Sequence, residues 1–432
     1  MPSRSGFSRD RVPTKSPSAG ASLEDWLCWQ EALHPQPIAL GLERVASVAR
    51  KLRLPAQGPV TLTVAGTNGK GSTTTLLAEV YLAAGQRVGT YTSPHLLRYN
   101  ERVAVNGVAA PDEVLTGAFA AVEKARGATA LTYFEFGTLA ALWLFREAGV
   151  SVQVLEVGLG GRLDAVNLVD ADCAVITAIG LDHLDYLGKD RDSIGAEKAG
   201  ILRAGRPAVC SDTDPPASIA RQARTTGASL WQIGRDFSFQ VAADAWNWHG
   251  PQRHYKKLPP PALGGDIQYV NAAGALAAVE RLQERLPVPE AAIRAGLVRL
   301  RLPGRFERRG RVVLDVAHNV EAARVLAHNL RTLAQGGFRV VMGMLSDKPV
   351  EGFAAELAPL ARKFYAAGLP PPRGLAGAQL AGRIAGPGRA VAAYDDVAQA
   401  FAAAQAEAAP GEIVVACGSF LTVAAVAERL HG

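Results

Sequence analysis

The seven residues Gly66-Thr-Asn-Gly-Lys-Gly-Ser72 carry the clearest chemistry in the sequence. Glycines let backbone N–H groups converge on phosphate oxygens, a following helix offers its positive end, and Lys70 adds a full charge. The segment departs from the common phosphate-loop pattern at Gly71, which stands where Ser or Thr usually follows the lysine. Nucleotide binding is the favoured reading, and a plain glycine-rich turn is the alternative. Glu156 ends the apolar run Ser151–Val157 and can hold Mg²⁺ beside phosphates or simply pair with Arg162. His183, in Leu181-Asp-His-Leu-Asp-Tyr186, is either a metal ligand or a hydrogen-bonded structural histidine, since imidazole is an unusual partner for magnesium. Lys198, in Glu197-Lys-Ala-Gly200, reads on its own as a solvated helix lysine.

These residues need a scaffold, and the surrounding pattern supplies one. Val60–Ala65 reads as a buried strand leading into the glycine loop, and a helix follows through Leu76, Leu77, Val80 and Tyr81. Strand, loop, helix is the context a phosphate loop requires. Before it, one helix is expected from Leu23 and another from Leu40 to Leu52. After it come helix Thr132–Ala148, strands Ser151–Val157 and Cys173–Ala178, helix Ser193–Arg203, a strand at Val209–Cys210 and helix Tyr269–Leu282. Such alternation implies βαβ units and a mostly parallel sheet. Between about 230 and 265, Trp231, Trp246, Trp248 and Pro259–Pro261 suggest a small antiparallel insertion.

A second α/β run follows Leu302-Pro-Gly-Arg-Phe306: strand Val312–Val316, helix Val320–Leu333, strand Phe338–Met342, helix Ala354–Leu360 and strand Ile413–Cys417. Pro303-Gly304 combines a fixed φ with a free hinge and marks the joint. The expected organisation is a disordered lead-in over residues 1–22, an ATP-binding domain over 23–302 and a smaller domain over 303–432. The fold class is α/β, a P-loop-containing mostly parallel-sheet N-terminal domain with a smaller α/β Rossmann-like C-terminal domain.

Composition removes several functions. The 432 residues are 48% apolar and 20% charged, a globular balance. No apolar run approaches the ~18 residues of a membrane helix. The formal charge is +6, but about half of it lies in the first 20 residues, and no Lys/Arg run with interleaved aromatics appears, so neither nucleic acid nor membrane is expected as a partner. Four separated cysteines without a CxxC pair fit a reducing, cytoplasmic setting.

Taken with Tyr91-Thr-Ser-Pro-His-Leu96, Leu131-Thr-Tyr-Phe-Glu-Phe136, Leu155–Ala165, Asp182-His183, Glu197-Lys-Ala-Gly200 and Asp315-Val-Ala-His-Asn319, the glycine loop resembles the folylpolyglutamate synthase family. More narrowly, the set is similar to the bacterial bifunctional dihydrofolate synthase/folylpolyglutamate synthases, within the Mur-type amide ligases. The match runs in order from about residue 23 to residue 425. The resemblance implies that Thr67, Asn68, Gly69, Lys70, Gly71 and Ser72 wrap the phosphates of ATP, with Asn271, Arg305 and Asp315 also contacting it. It implies Ser93, Glu156 and His183 as ligands of magnesium, with two ions in all, and Lys198 as a side-chain carbamate. Ile38, Ala39, Leu40, Thr132, Tyr133, Phe134, Glu135, Leu163, Asp164 and Ala165 would line a pterin site. Lys70, Lys198 and His318 are the expected catalytic group. Ala39 stands where the resemblance leads one to expect an acidic residue, and Val320 where it leads one to expect proline.

The implied activity is an ATP-dependent ligase, acting as a monomer. Dihydropteroate or a reduced folate is activated as an acyl phosphate and then joined to the amine of L-glutamate. The alternatives are a cell-wall amino-acid ligase, disfavoured by the 65 residues before Gly66, too few for the extra domain those enzymes carry, and a non-catalytic P-loop ATP switch.

Overall fold

Val60–Ala65 is buried along its whole length, as a strand covered on both faces must be. It is β1 of an eight-stranded sheet in the computed structural model, which describes residues 16–18, 20–54, 58–333 and 336–431. The other strands are β2 (Val88–Tyr91), β3 (Val103–Val105), β4 (Val108–Ala109), β5 (Val152–Glu156), β6 (Cys173–Ile176), β7 (Pro207–Cys210) and β8 (Ser229–Gln232). Their spatial order is β4-β3-β2-β5-β1-β6-β7-β8, parallel except for the β3 and β4 edge. β1 lies between β5 and β6, with Val64 opposite both Glu156 and Val175. The chain leaves β1 toward one edge and later returns on its other side, which opens a ligand crevice at the strands' carboxyl ends.

The first lobe carries helices α1 (Leu23–Leu33), α2 (Glu43–Lys51), α3 (Lys70–Ala83), α4 (Asp112–Arg126), α5 (Tyr133–Glu147), α6 (Leu184–Leu187), α7 (Arg191–Lys198), α8 (Ala217–Thr226), α9 (Ile267–Arg281) and α10 (Glu290–Arg299). Helices α1, α2, α4 and α5 build an apolar core on one sheet face. Helices α3, α9 and α10 build a second core on the other face. A Cβ at Gly296 would stand 2.6 Å from Val80 Cγ2, so only glycine lets α10 sit this close to α3. The expected insertion is an antiparallel sheet of β9 (Ser238–Val241), β10 (Trp246–His249) and β11 (His254–Leu258), which buries Trp246 and Trp248.

The second lobe holds β12 (Glu307–Arg309), β13 (Val312–Leu314), β14 (Phe338–Met342), β15 (Ala361–Ala367), β16 (Val391–Tyr394) and β17 (Ile413–Cys417) in the order β12-β13-β17-β14-β15-β16. Helices α11 (Val320–Leu333), α12 (Val350–Leu357), α13 (Gly377–Ile384), α14 (Val397–Glu407) and α15 (Phe420–His431) flank it. All pairings but β12–β13 are parallel, so Asp315 and Gly418 follow neighbouring strands to one rim.

Several expected boundaries shift by one or two residues, and three helices shift by three or more at an end. The helix expected from Leu40 begins at Glu43, because Arg44 draws the chain at Ala39 into a loop (2.6 Å). The helix expected over Ser193–Arg203 runs from Arg191 to Lys198 and tightens to a 3₁₀ turn at Ala199–Ile201, where Gly200 lies against Arg162. The helix expected over Ala354–Leu360 is Val350–Leu357. Ser22 caps α1 through a reciprocal bond with Asp25, whereas residues 1–15 of the expected lead-in lie outside the described residues. No disulfide joins the cysteines among the described residues, and no described helix is long and apolar enough to cross a membrane.

Candidate active site

The glycine loop leaves β1 and enters α3 through Gly69, whose φ of 90° is accessible to glycine without strain. A Cβ there would also strike Asn271 Oδ1 at 2.4 Å. Gly66 lies under Thr177, whose hydroxyl donates to Asn68 O at 2.7 Å and braces the loop from β6. The unexpected Gly71 has its own reason. A Cβ there would stand 3.3 Å from Leu302 Cδ2, 3.7 Å from Glu156 Oε2 and 4.0 Å from Arg305 Nη2. The position keeps a carboxylate and a guanidinium open to whatever the loop binds.

Lys70 Nζ donates to Gly66 O (3.0 Å) and Thr67 O (3.2 Å), folding the lysine back over the loop. Burial lowers its pKa, opposed by Glu156 and Asp182. Arg305 arrives from the far lobe, its guanidinium 5.1 Å from the Phe420 ring centroid. Its Nη1 is enclosed and has no hydrogen-bond partner among the described residues. An enclosed, unanswered cationic donor beside a glycine loop fits a polyphosphate.

Glu156 is buried at the end of β5 and accepts a hydrogen bond from Ser93 N at 3.3 Å. Burial raises its pKa, while Lys70 and Arg305 pull it back. His183 sits at φ 51° after β6. Loss of hydration, joined by Lys348, Lys70 and Lys198, outweighs the Asp182 carboxylate and lowers its imidazole to about 4. A neutral imidazole, a carboxylate and the Ser93 hydroxyl all line the cleft and form a donor set that suits a divalent ion. Among the described residues no group of three His, Cys, Asp or Glu stands assembled, and the expected trio holds only two such residues, Glu156 and His183, beside Ser93.

Lys198 is buried, not solvated, and its Nζ donates to Gly66 O at 2.8 Å. Burial and Lys70 lower its pKa to about 7. Asp315 accepts from Phe306 N (2.9 Å) and Ala317 N (2.8 Å), which fixes its carboxylate at the second rim. His318 Nδ1 meets Val316 O at 2.8 Å, leaving Nε2 facing Asp182 Oδ2 at 3.5 Å. The expected ATP residues, metal ligands and catalytic group thus line one cleft of about 550 Å³ between the lobes.

A smaller pocket of about 250 Å³ opens beside it and shares Ser93, Pro94, Gly158, Leu159 and His183. Ile38, Ala39, Leu40, Thr132, Phe134, Glu135, Leu163, Asp164 and Ala165 line it, as expected for the pterin site. Tyr133 does not; its ring packs on Tyr99 and under Arg102. Thr132 and Glu135 form a reciprocal cap at the start of α5. Asp164 accepts from Leu159 N and Val166 N at 2.8 and 3.0 Å, and burial raises its pKa to about 6.

Sequence reasoning overlooked Thr177, Asn319 and Lys348. Asn319 caps α11 at Ala322 N (2.9 Å) and exchanges amide hydrogen bonds with Asn68 (3.2 and 3.4 Å) across the lobes. Lys348 reaches Asp182 Oδ1 at 2.6 Å. The position of Asp347-Lys348 just beyond a parallel strand was the available signal for the latter.

Residues 64–249 match the Mur ligase middle domain, and residues 304–420 match the Mur ligase glutamate ligase domain. The chain is 46% identical over 418 residues to the dihydrofolate synthase/folylpolyglutamate synthase of Escherichia coli strain K12, covering 96% of this chain and 97% of that one. It is 38% identical to the enzyme of the same name from Haemophilus influenzae, over 94% and 97% of the two chains. Among solved structures, E. coli FolC in complex with DHPP and ADP superposes with a TM-score of 0.91 at 45% identity, over 96% and 99% of the chains. The bifunctional enzyme from Yersinia pestis, complexed with AMPPNP and Mn ion, gives 0.90 at 46% identity, over 97% and 100%. With the phosphate loop, the two-lobed cleft and the adjoining pocket in the same chain, the protein belongs to the dihydrofolate synthase/folylpolyglutamate synthase family of Mur ligases.

Proposed function

We propose that the chain joins L-glutamate to the carboxylate of dihydropteroate and of reduced folates, driven by ATP and a divalent metal, in the cleft between its lobes. The observation that carries this is the shared rim of the two cavities. A flat bicyclic acceptor held against Phe134 directs its carboxylate past Ser93 and His183 toward the glycine loop.

A carboxylate is too weak an electrophile to accept an amine directly. Its oxygen attacks the γ-phosphorus, the bond to the bridging oxygen breaks, and ADP leaves an acyl phosphate. The loop N–H groups, Lys70 and Arg305 hold the phosphoryl group in line and offset its charge. Ser93, Glu156 and His183 would hold a divalent ion, with a second ion organised near a Lys198 carbamate; bound there, the metal supplies further charge neutralisation. The glutamate nitrogen then attacks the acyl carbon, phosphate departs with its oxygen, and the nitrogen sheds a proton. With Nδ1 turned to Val316 O, His318 Nε2 on the second rim would receive it, and the facing Asp182 carboxylate would stabilise the imidazolium that forms. Asn271 and Asp315 complete the nucleotide walls.

The same reading treats residues 23–302 and 303–432 as lobes hinged at Pro303-Gly304, in a cytoplasmic monomer behind a lead-in of residues 1–22. The deciding experiment follows phosphate release with purified protein, ATP, Mg²⁺ and glutamate, with dihydropteroate, with tetrahydrofolate and with no acceptor. Release should require both acceptor and glutamate. Hydrolysis indifferent to glutamate would instead mark an ATP switch.

A further inference from the structure

The loop between α1 and α2 forms one wall of the smaller pocket, through Pro37, Ile38, Ala39 and Leu40. It has no helix or strand to hold its shape. Hydrogen bonds do so instead, two of them at the pocket wall itself. Gly41 N donates to Leu163 O at 3.3 Å, tying one end to the opposite wall. Arg44 Nη2 donates to Ala39 O at 2.6 Å, tying the middle.

The same Nη2 also donates to Glu135 Oε1 at 2.9 Å. Glu135 is almost wholly buried, and its other oxygen accepts from Thr132 N at 2.8 Å in the cap of α5. Arg44 therefore links an irregular segment to a regular one: the loop on one side, the first turn of α5 on the other. That first turn also presents Phe134, whose ring lies against Gly158, where a Cβ would stand 2.6 Å from Phe134 Cζ. Ile38, Ala39, Leu40 and Phe134 all line the pocket, so the strap joins two of the walls that a flat ring system would meet.

We infer that Arg44 is a positioning residue for the acceptor: it sets the pocket's width by strapping Ala39 to Glu135, and so governs affinity for the pteroyl group without entering the phosphate chemistry. This rests on the proposed function. It also accounts for Ala39, because the strap grips a backbone carbonyl and tolerates any side chain at that position.

The test compares wild type, Arg44→Ala and Arg44→Lys, measuring dihydropteroate binding without ATP, KM for acceptor and for ATP, kcat and melting temperature. In Arg44→Ala the acceptor KM and dissociation constant should rise about tenfold or more, the equivalent of ~1.4 kcal/mol or more. The ATP KM should stay within about twofold, since Arg44 does not line the larger cleft, and Arg44→Lys should recover part of the loss because it keeps a donor and the charge. Unchanged acceptor affinity in a folded variant overturns the inference, as does an equal rise in the ATP KM, which would mean general damage. Should Arg44→Ala not fold, Arg44→Lys decides alone: a selective rise in acceptor KM supports the strap and wild-type values refute it. Failure of the wild type itself to bind dihydropteroate would refute the functional reading instead.

Discussion

Lys348 Nζ lies 2.6 Å from Asp182 Oδ1, joining the loop after β14 in one lobe to the loop after β6 in the other, one residue before His183. Both side chains are largely enclosed, at 6% and 14% exposure. Burial opposes ionisation of Asp182, but His318, His183 and Lys348 outweigh it and hold the carboxyl well below its usual range. The pair is thus a charged contact across the active cleft.

Removing either partner strands the other charge, at a cost of about 3–5 kcal/mol for a buried pair. Asp182→Asn and Lys348→Met should each lower stability, and the double variant should lose less than the sum of the two. A double-mutant cycle by denaturant unfolding reads this coupling; strictly additive losses would show that the two groups do not sense each other.

Lys70→Ala should lower turnover by about 100-fold or more, because it removes charge facing the transferring phosphoryl group. Stopped-flow phosphate release measures it. Near-normal turnover would confine Lys70 to its bonds with Gly66 and Thr67.

Gly69→Ala should raise the ATP KM at least about tenfold while the chain still folds. The new methyl meets Asn271 Oδ1, and the φ of 90° becomes strained. Isothermal titration with a non-hydrolysable nucleotide separates this from a loss of turnover; unaltered affinity would argue against the loop as the phosphate cradle.

The pKa of about 7 at Lys198 leaves roughly half its amine uncharged at neutral pH and about a tenth at pH 6. Carbamate formation joins the uncharged amine to CO2 with release of a proton, so bicarbonate, added to give a fixed CO2 concentration, should stimulate activity at pH 8 and do so far less near pH 6. Before modification the sign for stability follows. The fold holds this proton less tightly than the unfolded chain, so the penalty is full below about 7 and relieved as pH rises toward the ordinary amine value. Lys198→Ala should be inactive and regain part of its rate with short carboxylic acids, and full activity without them would exclude the carbamate.

The phosphate half of the site was readable because its evidence is contiguous. Strand, glycines, lysine and helix occupy neighbouring residues, and Glu156 closes an apolar run. The tryptophan-rich insertion was visible for the same reason. What escaped notice depends on partners distant in sequence. Lys348 acquires meaning only from Asp182, 166 residues earlier, and Asn319 only from Asn68, 251 residues earlier. Strand β15 and helix α14 are alanine-rich and lack a clear apolar period, so packing rather than pattern defines them. Lys198 read as solvated because a short helix gives no hint that Gly66 will cover it.

The in-register centre of the first sheet divides the molecule's capacity for change. In the proposed function, nucleotide handling would be anchored where β5, β1 and β6 run side by side, and a one-residue slip there would turn Glu156 to the opposite face. Recognition of the molecule to be extended would hang on a peripheral loop and one helix cap. Descendants of this chain can therefore explore new acids to lengthen while inheriting their energy-coupling apparatus untouched.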